Sequence, residues 1–238
     1  MVVTDRCADR SVVSCAADRV RGVLGARLAL GLSALGIVFA WGGEEPAGSS
    51  CDAAVYATEV VRFDAGSGAG FGHESMPGIV LGPPRGGNPS AGTLDVISLG
   101  AGGEIVLGFG DMTIVDGPGP DFVVFENTFW VSGDPANPFA ELGEVSVSDD
   151  GESWWSFGCT QIPDSAGRYP GCAGWRPQLD YDLCTSDLSQ VETGGDLFDL
   201  ADVGLARARY VRITDLAAGG AGPTAGFDLD AVGLIAWE

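Results

Sequence analysis

The chain has 238 residues, with 33 acidic and 12 basic side chains, every basic one an arginine, and a formal charge of −21. So acidic a surface repels phosphate backbones and excludes nucleic acid as a partner. The lack of lysine removes the phosphate-loop signature and Schiff-base catalysis together, and 38 glycines with 13 prolines argue against a helical protein.

In chain order, Arg19, Arg21 and Arg27 precede an uncharged apolar run over residues 28–40 that ends Val38-Phe39-Ala40. This is the layout of a secretory signal peptide, and residues 1–40 are assigned to one. The run is short of the ~20 apolar residues a membrane span needs, so no transmembrane segment is expected after its removal. The maturation leaves seven arginines against 30 acids, a balance of −23. Residues 41–53, rich in Gly, Ser, Glu and Pro, read as a flexible linker, and residues 54–238 as one domain.

Strand-like runs alternate with Gly/Pro/Asn/Asp turns through that domain. Residues 55–63 alternate, and 93–99 follow a long Gly/Pro loop. Residues 104–109 put Ile105, Leu107 and Phe109 on one face. Phe122-Val-Val-Phe125 is apolar throughout, as a strand covered on both faces should be. Residues 144–157 form a hairpin around Asp150-Gly151, a pair that tolerates the positive φ of tight turns. A two-residue loop there sets Val147 opposite Trp154 and Val145 opposite Ser156; one further loop residue would pair Val147 with Trp155. One of the two tryptophans is expected in the core and the other near solvent. Residues 208–214 and 227–237 supply the last strands, and only 197–203 suggest a helical turn.

Four cysteines lie beyond residue 40. An even number in an exported domain reads as two disulfides. Cys159 with Cys172, flanking a Pro/Gly-rich loop, is the favoured pair, leaving Cys51 with Cys184. Zinc is disfavoured, because no Cys-x-x-Cys spacing occurs and His73 is the only histidine.

Metal-ligand chemistry concentrates at two places. Asp116-Gly-Pro-Gly-Pro-Asp121 cannot be helical and leads through the apolar strand to Glu126-Asn127. Carboxylates and amides gathered by tight loops are the oxygen donors that calcium requires, although Asp and Asn in turns also bond their own backbone. In Gly226-Phe-Asp-Leu-Asp-Ala-Val-Gly-Leu234 the apolar parity changes near Asp230-Ala231, which predicts a β-bulge that re-aims Asp230. Asp228 and Asp230, with Asp64, form the second candidate set, a metal pinning the last strand to the first. The ligand-binding candidates are Trp155, Asn127 and Trp130. The acidic pair Asp116 and Asp121 also admits a polysaccharide hydrolase.

Three motifs together carry a resemblance. Val-Ser-Val-Ser-Asp-Asp-Gly-Glu-Ser-Trp154 is similar to the hairpin of discoidin-type, galactose-binding-like jelly rolls. Ala208-Arg-Tyr-Val-Arg-Ile213 resembles their following strand, and Gly226-Phe-Asp-Leu-Asp-Ala-Val232 resembles the closing strand of carbohydrate-binding modules. Ser98-Leu-Gly-Ala-Gly-Gly-Glu-Ile-Val-Leu-Gly-Phe109 and Gly117-Pro-Gly-Pro-Asp-Phe-Val-Val-Phe-Glu-Asn127 are similar to segments of bacterial cell-surface proteins. The resemblance implies an all-β, two-sheet jelly-roll sandwich, and a structural calcium near the last strand that favours Asp230. The expectation is an exported, monomeric, noncatalytic module that binds a glycan or a surface protein. A hydrolase and a purely structural envelope protein are the alternatives. With no sorting segment after Glu238, release or retention by another component is expected.

Overall fold

The computed structural model describes residues 56–85, 87–180, 183, 187–217 and 226–238. Fourteen strands follow one another: β1 (Glu59–Asp64), β2 (Ile97–Ser98), β3 (Glu104–Gly108), β4 (Ile114–Val115), β5 (Phe122–Glu126), β6 (Phe129–Trp130) and β7 (Pro138–Phe139). The second half holds β8 (Gly143–Ser148), β9 (Trp155–Ser156), β10 (Cys172–Ala173), β11 (Asp196–Phe198), β12 (Arg207–Ala208), β13 (Tyr210–Asp215) and β14 (Asp228–Leu234). Among the described residues, helix is limited to 3-10 turns of three or four residues. None is long and apolar enough to cross a membrane.

Two antiparallel sheets carry the fold. One runs β1-β3-β13-β8-β10, with β9 also on β8, and the other β11-β5-β14-β2. In chain order β1, β3, β8 to β10 and β13 join the larger sheet in alternation with β2, β5, β11 and β14 of the smaller one, which is the jelly-roll connectivity expected from the sequence. Ile105, Leu107, Val145, Val147, Val211 and Ile213 of the larger sheet meet Phe122, Val124, Leu229, Val232 and Leu234 of the smaller one in a single core. Phe109 joins it, so the alternating face of residues 104–109 is inward as expected. Val123, Phe125 and Ala231 face the other way and are covered by Tyr56, Leu183 and Leu188. The apolar run at 122–125 is therefore buried on both faces, for the reason its composition suggested.

The kink in the last strand is present. Leu229 pairs with Glu126 and Ala231 with Phe125, leaving Asp230 as the extra residue. Asp230 and Ala231 thus face the same side, and the core-facing parity shifts from Leu229 to Val232.

The 144–157 hairpin takes the other register. Ser146 lies opposite Ser156 and Val147 opposite Trp155. The cause is the Asp150 carboxylate, whose Oδ1 accepts the N–H groups of Glu152 at 2.8 Å and Ser153 at 2.7 Å. This local bonding widens a two-residue turn into a loop over 149–154. It also pulls the Asp150 carboxyl down to about 2, through those backbone bonds first. Neither tryptophan enters the core. Trp155 is 38% exposed, and Trp154 lies on the outer face with the Arg212 guanidinium 4.4 Å from its ring centroid. The helical turn expected at 197–203 is divided. Asp196–Phe198 is β11, and a single 3-10 turn, Leu200–Val203, begins where Asp199 accepts the Ala201 N–H.

Cys159 and Cys172 are joined as expected. The bridge fastens the loop after β9 to β10, both of which pair with the same strand, β8. The expected signal peptide and linker, Cys51 and Cys184 lie outside the described residues.

Candidate functional site

The disulfide loop builds a groove that no sequence motif announced. Its central segment is Gly174-Trp175-Arg176, directly after β10. Gly174 has φ +92°, and a Cβ there would overlap the Glu141 carbonyl oxygen, so only glycine lets the chain pass. The turn directs its amides at Asp196 on β11, whose Oδ2 accepts Gly174 N–H at 2.7 Å and Trp175 N–H at 3.2 Å. The Trp175 indole N–H donates to the Cys172 carbonyl at 3.2 Å. Backbone, indole and disulfide together fix the position of the ring.

Cavities open on both sides of this segment. The first, about 600 Å³, is lined by Tyr169, Trp175, Asp164, Arg168, Asp196 and Asp202 among others. The second, about 530 Å³, has Trp130, Pro138, Leu179 and Val191 in its walls and shares Trp175 and Arg176 with the first. Both volumes suit a small ligand. Tyr169 and Trp175 present tilted rings with centroids 6.4 Å apart, and the Arg176 guanidinium stands 5.9 Å from the Trp175 centroid.

Asp196 is 2% exposed and its Oδ1 has no hydrogen-bond partner. Burial pushes its carboxyl up to about 7, against the pull of the Trp175 and Gly174 amides and the Arg176 charge. An aromatic wall beside carboxylates and guanidinium groups can stack against the C–H face of a sugar ring while pairing with its hydroxyls.

The sequence-nominated acids fall into separate groups. Asp116 and Asp121 do meet, and Asp199 joins them. One carboxylate oxygen from each lies within 4.8 Å of the others. Asp121 is fully buried, accepting Gly117 N–H at Oδ1 (2.8 Å) and Leu200 N–H at Oδ2 (2.7 Å). Burial raises its carboxyl above the usual range, while those two amides pull it back. The triad offers carboxylate oxygens, the donor type that a hard cation takes, so it could hold a metal ion.

Glu126 and Asp228 come together elsewhere, at one end of the sandwich, with Glu141 and Asp215, which the sequence reading did not single out. Gly226 N–H bonds Glu141, Phe227 N–H donates to Asp215 Oδ2, and Asp228 N–H donates to Glu126 Oε1 at 3.3 Å. Three successive amides at the start of β14 are thus each held by a different carboxylate. Burial first, then the charges of Asp228 and Glu141, push Glu126 well above its ordinary value. Burial and the charges of Asp228 and Asp215 take Glu141 to about 7. Burial also raises Asp228 to about 6, against hydrogen bonds from Ser98 and Asn127.

The remaining candidates are scattered. Asp64 is exposed at the end of β1 and pairs with Arg62 at 3.1 Å; β1 and β14 belong to different sheets. Asp230 on the bulge accepts Arg85 N–H at 3.1 Å, and burial, with Asp95 adding to it, pushes it up to about 7. Asn127 accepts Thr93 N–H at 2.6 Å and braces a loop. Trp155 stands at the edge of the sandwich, away from the groove walls, whereas Trp130 lines the second cavity. The groove residues Tyr169, Trp175, Arg176 and Asp196 were missed. Their one local signal is the aromatic pair set in the Cys/Gly/Pro loop, Tyr169-Pro-Gly-Cys-Ala-Gly-Trp175.

No protein-family description matches the chain, and no curated protein does. Among solved structures the chain is similar to one described as a glycoside hydrolase, at 14% identity and a TM-score of 0.24. That match covers 58% of this chain and 19% of the other, so the chain spans about a fifth of that structure's length.

Proposed function

We propose that this is an exported, noncatalytic glycan-binding module whose ligand sits in the groove around Trp175. The observation that carries this reading is the pairing of a fixed aromatic wall, Tyr169 and Trp175, with charged hydrogen-bonding groups inside one cavity of about 600 Å³. Rigid aromatics and preset polar partners lower the ordering cost of binding a flexible polyol. A binding role rather than hydrolysis is supported by the bonding of Asp121: both its oxygens are committed to backbone amides, which suits a loop brace better than a proton carrier. The Cys159–Cys172 disulfide is consistent with an extracellular site of action.

Asp116, Asp121 and Asp199 would hold a structural calcium. The ion would tie the Gly/Pro loop before β5 to the turn after β11, and so steady the strand that carries Asp196. Melting in calcium against chelator tests this part: a rise of several degrees is expected, lost in Asp199→Asn, and a shift below about 1 °C at saturating metal would sink it.

The glycan reading is tested by array screening of the full chain, with Trp175→Ala beside it. Binding to a restricted set of glycans, lost in the variant while its thermal unfolding stays cooperative, is expected. An array without specific binding, or binding unchanged by Trp175→Ala, overturns the proposal.

A further inference from the structure

The two cavities are neighbours, the two halves of one surface region, and their side chains differ in chemistry. Trp175 and Arg176 form a wall of both. The loop over 164–168 borders both as well: Asp164 and Arg168 line the first cavity, Ser165, Ala166 and Gly167 the second. That loop is closed on itself. Asp164 Oδ1 accepts Ala166 N–H at 2.8 Å and Arg168 N–H at 3.0 Å, and Arg168 Nε donates to Asp164 Oδ2 at 2.8 Å. The two cavities therefore adjoin across the Trp175–Arg176 segment, under one rim.

Charge is confined to the first half. Asp164, Arg168, Asp196 and Asp202 lie only there, with Arg176 at the junction. In the second half the walls are Trp130, Pro135, Pro138, Pro177, Leu179 and Val191. Apart from the two indoles, Ser165 and Arg176 alone offer hydrogen-bonding side chains there, and Arg176 already donates to the Val191 carbonyl at 3.0 Å. A second sugar ring in this half would have backbone groups and few side chains to replace the water lost from its hydroxyls, a poorer exchange than the charged half gives. An apolar group would meet no such cost and would gain from burial.

We infer that the ligand is amphipathic: a saccharide in the charged half that carries an apolar substituent, an acyl or alkyl group, in the half walled by Trp130, Leu179 and Val191. The inference rests on the glycan reading above and adds the chemical class of the ligand.

Calorimetric titration of the full chain with matched methyl and octyl β-glycosides of glucose, galactose, mannose and N-acetylglucosamine, below micellar concentration, tests it. For at least one sugar the octyl glycoside binds ten times or more tighter than the methyl glycoside. Trp130→Ala removes that gain and leaves methyl glycoside binding within twofold, whereas Trp175→Ala weakens both. Equal affinities for the pair, or a gain that survives Trp130→Ala, overturn this inference and leave the glycan reading standing. A longer unsubstituted oligosaccharide that reproduces the gain through Trp130 also overturns it. If neither glycoside of any sugar binds, both readings fall.

Discussion

Replacing Asp196 by asparagine isolates the cost of a carboxylate buried between the sheets. The residue is 2% exposed; Oδ2 holds two backbone amides, Oδ1 is buried without a hydrogen bond, and the Arg176 charge offsets the burial only in part. Burial holds its folded carboxyl at about 7 against an ordinary 3.8. The folded state therefore binds this proton more tightly than the unfolded state does. Its contribution to stability is complete below about pH 4 and is lost as pH rises through about 7. The interval corresponds to about 4 kcal/mol, at ~1.4 kcal/mol for each tenfold in proton affinity. Asparagine keeps the carbonyl oxygen for Gly174 and Trp175 and cannot ionise. Urea unfolding of both proteins from pH 4 to pH 8.5 reads the difference. Glu126, Glu141, Asp228 and Asp230 shift in the same direction, so both proteins lose stability as pH rises. The stability of Asp196→Asn relative to the parent should nevertheless climb by about 4 kcal/mol across that range. Curves that stay parallel within about 0.5 kcal/mol, the usual additivity error, refute the reasoning.

Converting Cys159 and Cys172 to serine opens a link that spans a sequence separation of 13; a loss of about 3 kcal/mol is expected in denaturant unfolding. Glycan affinity should fall as well, because Trp175 bonds the Cys172 carbonyl. Gly174→Ala forces a side chain into the Glu141 carbonyl at positive φ and should cost about 2–4 kcal/mol; a melting temperature within a degree of the parent would contradict the close approach. Trp154→Ala removes the ring under Arg212 and should cost only about 1 kcal/mol by urea midpoint. A loss above about 3 kcal/mol would instead identify Trp154 as a core residue.

Much of the scaffold was legible because its signals are local. The alternation of Ile105, Leu107 and Phe109, the unbroken apolar run at 122–125, and the parity change at Asp230 each state which face of a strand is buried within a few residues. The hairpin register was misread for an equally local reason. Asp150 supports a tight turn in general, but here its carboxylate gathers the Glu152 and Ser153 amides and lengthens the loop. Two competing bonding patterns of one side chain differ by little in energy, and a one-residue change exchanges every facing pair.

By itself the sequence determined an all-β chain, the core faces at 104–109 and 122–125, the kink in the last strand and the favoured disulfide. These follow from periodicity, turn chemistry and short loop closure, which act between near neighbours. Only the tertiary structure decided which polar groups meet. Leu200 donates to Asp121 across 79 positions, Asp228 to Glu126 across 102, and Gly174 to Asp196 across 22. Such contacts depend on the order in which strands alternate between the sheets, so an acid-rich sequence offers many carboxylates and no local rule for choosing among them. The groove around Trp175 exists because the turn that ends β10 lies beside Asp196, where β11 begins, a fact of strand placement rather than of composition.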